Sequence, residues 1–231
     1  MQLRRRYLFG ALLLCATGVS VAIYVVGLSP RRLEKAATPS LDATPTPPAR
    51  KLEMSGVPKF GQVTPTLYRG AEPTDEGLRQ LKELGVGIVV CLRGTPDDEQ
   101  RPEPGRVEAL GMRHVAIPWS ASQPPSHERV LRLLNVIQSN PKTTIFVHCS
   151  RGIDRTGVMM AAYRVAVQGW TPEQALQEME AFGFEGSPNL LRIRRYSRRR
   201  ARVAYVRDLV KTVANDPRFG SLVRPAEAGQ Q

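Results

Sequence analysis

The chain has 231 residues, enough for one ordinary domain with extensions. Its 33 basic and 21 acidic residues give a net charge of +12. The excess lies at the two ends, because residues 55–190 carry 14 basic and 15 acidic side chains. A nucleic-acid-binding domain is basic over its folded part, so this distribution argues against nucleic acid as a partner.

An uncharged, strongly apolar run over residues 7–28 follows a basic N-terminus, residues 1–6. About 20 apolar residues cross a bilayer as a helix, and the apolar region of a cleaved signal peptide is usually shorter. We therefore predict an uncleaved, single-pass transmembrane anchor. Arginines flank both ends of the run, so the positive-inside rule gives only a small preference for placing the N-terminus inside.

A proline-rich segment, residues 29–54, comes next and contains five prolines but no apolar periodicity. Such a composition predicts an extended, semi-rigid linker between the membrane and the folded part. The folded domain is predicted over residues 55–215, followed by a loose tail over residues 216–231.

Strand and helix patterns alternate through the domain. We predict a helix from Asp75 that is capped by Thr74, with Leu78, Leu81 and Leu84 facing inward. Strands are predicted at 86–92, 113–117 and 144–148. Further helices are predicted at 106–110, after Ser126 and from residue 158. Two more are predicted after a capping box at 171–174 and in the arginine-rich segment that starts at 192. This order predicts a single α/β domain with a mainly parallel central sheet flanked by helices.

The residues that bear most directly on function follow the strand at 144–148. Cys149 opens a tight loop and Arg155 closes it, immediately before a helix. Helix N-termini bind phosphate, and the same field lowers the pKa of a thiol and so favours the nucleophilic thiolate. Gly152 lets the backbone curl so that its amides face an anion, and Arg155 can bind two phosphate oxygens. The loop is therefore predicted to hold phosphate above a nucleophile.

This Cys-x5-Arg-Thr motif, preceded by His148, resembles the signature of the cysteine-dependent protein tyrosine and dual-specificity phosphatases. The segment Leu-Tyr-Arg-Gly-Ala-Glu-Pro at 67–73 is similar to the family's entry segment, and the resemblance extends over roughly residues 56–190. It is strongest to the compact bacterial periplasmic members. The resemblance implies a protein-tyrosine-phosphatase-like fold, hydrolysis of a phosphorylated protein or small molecule, no cofactor, and a catalytic domain outside the cytoplasm, with the cytoplasmic side left open.

The resemblance also implies roles for the loop residues. Cys149 is the expected nucleophile and Arg155 the phosphate clamp. Thr156 either donates its hydroxyl to the sulfur or caps the helix, and His148 supports the loop rather than acting as a base. The backbone amides that complete the phosphate site are expected from the residues between nucleophile and clamp, namely Ser150, Arg151, Gly152, Ile153 and Asp154.

The general acid is where the chain departs from this family. The relatives carry an aspartate on a loop before the cysteine, but residues 117–125 here contain no carboxylate. Asp154 inside the loop could protonate the leaving group, or Glu128 or His127 could do so, or the enzyme could act on good leaving groups without an acid. We favour Asp154.

Three alternatives remain open. Cys91 is either a small core residue or, by resemblance, a reversible disulfide partner of Cys149. The arginines between 192 and 202 form either a solvated face or a contact for anionic lipid. The substrate could also be an inositol phosphate or phosphoinositide, as Asp154 suggests, or the chain could be a phosphate-binding scaffold with impaired catalysis. Scattered histidines and the lack of a Cys-x-x-Cys pair predict no metal site.

Overall fold

A computed structural model describes residues 46–94, 103–120, 123–184 and 193–220, with side chains omitted at 193–199, 214 and 220. The predicted membrane anchor, residues 7–28, and most of the predicted linker and tail lie outside the described residues. Within the described ranges, no helix has both the length and the apolar character needed to cross a bilayer.

Six strands form one central sheet. In chain order the elements are β1 Arg50–Lys51, β2 Gly61–Thr64, β3 Leu67–Ala71, α1 Asp75–Glu83, β4 Val86–Cys91, α2 Glu103–Ala109, β5 Arg113–Ala116, α3 His127–Gln138, β6 Thr144–Cys149, α4 Asp154–Gln168, α5 Pro172–Ala181, α6 Ile193–Asn215 and α7 Pro217–Gly220. The strand order is β1-β2-β3-β6-β4-β5. The predicted α/β domain is therefore confirmed.

The sheet is mixed rather than parallel throughout. Strands β3, β6, β4 and β5 are parallel neighbours, whereas β1 and β2 run antiparallel at one edge. Strand β1 lies within the range predicted as linker, because two exposed charged residues carry no strand pattern and are held only by pairing with β2. The sheet thus begins before residue 55.

Alternation along the central strands divides the core into two layers. Val89 and Phe146 face helices α1 and α2 and pack against Leu78 and Leu81. Val90, Val147 and Cys149 face the opposite side, with the core residues of α3 and α4. Strand β6 is buried from its second residue onward, which explains why it reads as a continuous apolar run. Its C-terminal end is consequently fixed from both sides.

Helix boundaries match the sequence signals where a side chain caps the helix. The hydroxyl of Thr74 accepts a hydrogen bond from the Gly77 amide at 3.1 Å, and Thr171 and Gln174 form the predicted reciprocal capping box. Leu84 was predicted to face inward, but it is 41% exposed because α1 ends one residue earlier.

Helix α4 begins at Asp154, four residues before the predicted start. Asp154 and Arg155 therefore belong to its first turn, and the loop between β6 and α4 is only four residues long. This arrangement brings the arginine that closes the motif and the cysteine that opens it to the same end of the sheet.

The long helix α6 packs against α4 and α5. Val206 and Leu209 are fully buried in this contact, whereas Val210 is 47% exposed. Arg202 is buried as well, so this arginine does not belong to the predicted solvated basic face.

Candidate active site

The loop that follows β6 packs against the end of β3. Gly152 has a φ of +68°, and a Cβ at this position would lie 2.6 Å from the Ala71 nitrogen and 2.7 Å from the Gly70 oxygen. Only glycine fits this combination of left-handed backbone and close approach. Nη2 of the fully buried Arg69 donates to the Gly152 carbonyl at 2.8 Å. Because a trans peptide points its carbonyl and amide in opposite directions, this bond turns the Ile153 amide away from Arg69, as an anion-binding loop requires.

Cys149 is buried at the base of the loop. Burial alone raises the pKa of its thiol, but the hydroxyl and amide of Thr156, the charge of Arg155 and the Arg151 amide outweigh burial and lower the pKa below its ordinary value. The thiolate is the nucleophilic form of cysteine. Cys149 therefore has the position and the electrostatic environment of an activated nucleophile.

Thr156 contributes to this environment rather than to a helix cap. Its hydroxyl donates to the Gly70 carbonyl oxygen at 3.5 Å, and its interaction with the Cys149 thiol lowers the pKa of that thiol. No described side chain caps the N-terminus of α4. Of the two roles predicted for Thr156, donation to the sulfur therefore stays a prediction, and the lowered pKa of Cys149 favours it.

Arg155 lies in the first turn of α4, close in the chain to the nucleophile and buried. Its Nη1 donates to the Leu92 carbonyl at 3.2 Å and to the Trp119 carbonyl at 3.3 Å. These two carbonyls belong to the segments that follow β4 and β5. The guanidinium is thus held at the carboxyl edge of the sheet, where ligands of such sheets bind.

Asp154 is held by two arginines. Its Oδ2 accepts a bond from Nη2 of Arg151, and its Oδ1 accepts one from Nη1 of Arg202 at 3.1 Å. Arg202 comes from α6, and the side chains of Arg202 and Asp154 are only 5% and 11% exposed. The predicted acid is therefore a carboxylate in two ion pairs, and it would have to leave at least one of them to present a proton to a leaving group.

The other candidates for the acid have contacts with α7. Glu128 Oε1 accepts a bond from Arg218 Nη1 at 3.1 Å. A backbone hydrogen bond, and after it this pairing, lowers the pKa of the Glu128 carboxyl. The His127 ring lies edge-on to Phe219, with 6.3 Å between the ring centroids. The structure thus places both side chains against the C-terminal part of the chain.

A buried charged network supports the loop from behind. His148 Nε2 lies 2.7 Å from Glu103 Oε1, and Arg93 contacts Glu103 at 2.9 Å and Glu72 at 3.2 Å. Burial lowers the pKa of His148, but bonds with Cys91 and Glu103 outweigh it and raise the pKa to about 10. A fully buried, charge-paired histidine beside the nucleophile has the geometry of a structural support rather than of a base.

The sequence did not predict the roles of Glu103, Arg202 and Arg69 in the site. Arg69 belongs to the segment at 67–73 that resembles the family's entry segment, and a charged side chain within a strand was the one signal that pointed to it. Its guanidinium stacks over Phe182 at 4.0 Å, and burial lowers its pKa to about 10. Glu103 and Arg202 had no local signal, because their partners lie 45 and 48 residues away in the chain.

Cys91 and Cys149 are not brought together. Cys91 follows Val89 on the side of the sheet that faces α1 and α2, and it is hydrogen-bonded to His114 and His148. Cys149 faces the opposite layer. Among the described residues both are free thiols, and a disulfide between them would require one strand end to rotate.

Comparison with known proteins agrees with this geometry. A family model described as a DSP-PTPase phosphatase fused to NAD+ kinase matches residues 58–190. The dual specificity protein phosphatase TpbA of Pseudomonas aeruginosa (strain UCBPP-PA14) is 33% identical over 143 residues, which are 62% of this chain and 62% of TpbA. The chain therefore spans less than two thirds of the length of this curated relative.

Solved structures show the same relationship. The crystal structure of P. aeruginosa TpbA superimposes with a TM-score of 0.56 at 27% identity, covering 74% of this chain and 99% of that one. A cysteine-to-serine form of TpbA in complex with pTyr has the same score and identity and covers 75% and 99%. The catalytic domain of the PP-IP phosphatase SIW14 of S. cerevisiae, at 23% identity and a TM-score of 0.52 over 71% and 97% of the two chains, shares the fold.

Proposed function

Because the chain belongs to the DSP-PTPase family whose model is described as a phosphatase fused to NAD+ kinase, we propose that it hydrolyses phosphomonoesters. We propose phosphotyrosine as its substrate class. One observation carries the proposal. A buried cysteine whose pKa is lowered by Thr156 and Arg155 lies at the end of β6, beneath a loop that leads into a helix N-terminus. Such an end attracts anions.

The proposed reaction has two steps. The Cys149 thiolate attacks phosphorus, an S–P bond forms, and the bond between phosphorus and the substrate oxygen breaks. Water then attacks the cysteinyl phosphate, the S–P bond breaks, and phosphate leaves with the thiolate restored. Arg155 stabilises the charge that develops on the phosphoryl oxygens, and the Thr156 hydroxyl stabilises the sulfur as the leaving group of the second step.

Phosphotyrosine fits the surroundings of the nucleophile better than an alkyl phosphate does. A phenol has a pKa of about 10, so phenolate leaves with much less help from an acid than an alkoxide. Asp154, the acid favoured from sequence, is engaged with Arg151 and Arg202. TpbA, a relative of this chain, has been crystallised in complex with pTyr, which supports the same choice.

A substrate panel tests the proposal. The full-length chain would be assayed on a phosphotyrosine peptide, a phosphoserine peptide, inositol hexakisphosphate and nitrophenyl phosphate, each beside its Cys149→Ser form. We expect kcat/KM to be highest on the phosphotyrosine peptide and activity to be lost with Cys149→Ser. A higher kcat/KM on the inositol phosphate would show that inositol phosphates are the substrate class instead. Binding of the phosphopeptide without turnover would show that the chain is a phosphate-binding scaffold.

We further propose that residues 7–28 anchor the enzyme as a single-pass membrane protein with the catalytic domain on the extracytoplasmic side. The support is the apolar run itself and the proline-rich segment that follows it. Protease treatment of intact spheroplasts tests the orientation. Cleavage of the domain from outside is expected, and full protection until lysis would place it in the cytoplasm.

A further inference from the structure

A second cluster of reactive side chains lies on the α1 and α2 side of the sheet. Cys91 ends β4, His114 belongs to the neighbouring strand β5, and Glu103 is the first residue of α2. One potential ligand atom from each residue lies within 4.8 Å of the other two. Three segments distant in sequence thus present a sulfur, a nitrogen and an oxygen to one small volume.

The cluster is buried and holds a nitrogen that is short of a hydrogen bond. Cys91 and Glu103 are 5% and 2% exposed. Glu103 Oε1 is paired with His148 Nε2 at 2.7 Å, whereas the buried Nε2 of His114 has no partner in hydrogen-bonding geometry among the described residues apart from its contact with the Cys91 thiol. Folded proteins leave few buried polar atoms in this condition, and a bound ion is one of the ordinary explanations.

We propose that Cys91, Glu103 and His114 bind Zn²⁺ or a divalent ion of similar chemistry. Zinc takes thiolate, imidazole and carboxylate ligands, whereas Mg²⁺ and Ca²⁺ require oxygen ligands. Its bonds are about 2.0–2.3 Å long, which places two ligands of a tetrahedral ion roughly 3.3–3.8 Å apart. The observed ligand atoms, which lie within 4.8 Å of one another, would therefore have to approach one another by roughly 1 Å when an ion binds.

The proposed site is distinct from the phosphate loop but adjoins it. Cys149 faces the other layer of the core, so its thiol is not a ligand. His148, whose Nε2 pairs with Glu103 Oε1 at 2.7 Å, directly precedes the nucleophile and connects the proposed site to the phosphate loop. An ion here would join β4, β5 and α2, and we expect it to raise the unfolding temperature of the domain.

Cobalt is a direct probe, because a thiolate bound to tetrahedral Co²⁺ gives a near-ultraviolet charge-transfer band and visible d–d bands. The full-length chain would carry Cys15→Ser and Cys149→Ser, which leaves Cys91 as its only thiol. We expect one Co²⁺ per chain with the charge-transfer band, displacement by Zn²⁺, and loss of the band in Cys91→Ser. His114→Ala should weaken binding by at least about tenfold.

His127→Ala is the matched control, because it removes a histidine from α3, whose ring contacts Phe219 and not the cluster. Its affinity for Co²⁺ should equal that of the parent. Absence of the thiolate band, or equal binding by His114→Ala and the parent, would overturn the proposal. Circular dichroism of each variant guards against unfolding, and if Cys91→Ser fails to fold, the comparison of His114→Ala with His127→Ala decides.

Discussion

The ion pair between Asp154 and Arg202 connects the long helix α6 to the first turn of α4, directly after the catalytic loop. The atoms are 3.1 Å apart and the side chains are 5% and 11% exposed. A hydrogen bond between charged groups contributes roughly 1.5–3 kcal/mol, so Arg202→Gln should lower the free energy of unfolding by about 2 kcal/mol. Asp154→Asn should cost more, about 3 kcal/mol or above, because it removes the negative charge that pairs with both Arg151 and the buried Arg202.

The same substitutions should reduce catalysis, because in the chain Asp154 directly follows the loop residues 150–153 and directly precedes Arg155, so a shift of Asp154 moves both. Displacement of a catalytic group by about 1 Å can cost as much as a hundredfold in rate, and we expect kcat/KM on nitrophenyl phosphate to fall at least tenfold in Arg202→Gln. Arg200→Gln is the matched control, because Arg200 is an exposed arginine on the same helix. It should change neither stability nor rate.

A double-mutant cycle with urea unfolding and kcat/KM measures the coupling. The ion pair predicts that Asp154→Asn with Arg202→Gln costs far less than the sum of the single changes, and that aryl and alkyl phosphates lose the same factor. If Asp154 is instead the general acid, Asp154→Asn should slow the hydrolysis of alkyl phosphates far more than that of nitrophenyl phosphate. Additivity within about 0.5 kcal/mol, together with an unchanged rate in Arg202→Gln, would refute the coupling.

Three further predictions concern the loop and its support. Thr156→Val removes a hydrogen bond that lowers the pKa of Cys149; since the thiolate is the active form, the acid limb of the kcat/KM profile should move to higher pH, and an unmoved limb would contradict this role. Glu103→Gln should lower the free energy of unfolding by about 3 kcal/mol or more, because it leaves His148 buried without its paired charge; chemical denaturation measures the loss, and a change below about 0.5 kcal/mol would refute the pairing. Gly152→Ala should abolish turnover, because its Cβ would lie 2.6 Å from the Ala71 nitrogen at a φ of +68°; wild-type activity in this variant would refute the tight packing of the loop.

The parts of the fold that follow from sequence are those with local signals. Apolar, β-branched runs predict strands β4 and β6, and the hydroxyl side chains of Thr74 and Thr171, as helix caps, predict where α1 and α5 begin. The catalytic loop was also predictable, because a strand, a glycine and a helix start occur within ten residues. Strand β1 was not, because its two charged residues are ordered by pairing with β2 and not by any pattern of their own.

The charged partners of the site could not be predicted, because each pair is made by tertiary packing. Arg202 looked like one arginine among seven on a solvated helix, yet it lies buried against Asp154. Cys91 looked like a neighbour of Cys149, since their strands are adjacent, but the alternation of side chains puts the two thiols in different layers. Register and face, which decide such contacts, depend on the assembled sheet.

The most direct measurement is to trap the covalent intermediate. The full-length chain would be mixed rapidly with a phosphotyrosine peptide, quenched in acid, digested and mapped by mass spectrometry. The mechanism predicts a phosphorylated peptide that contains Cys149, and its absence from the Cys149→Ser protein. Phosphate on another residue, or undiminished hydrolysis by Cys149→Ser, would contradict it.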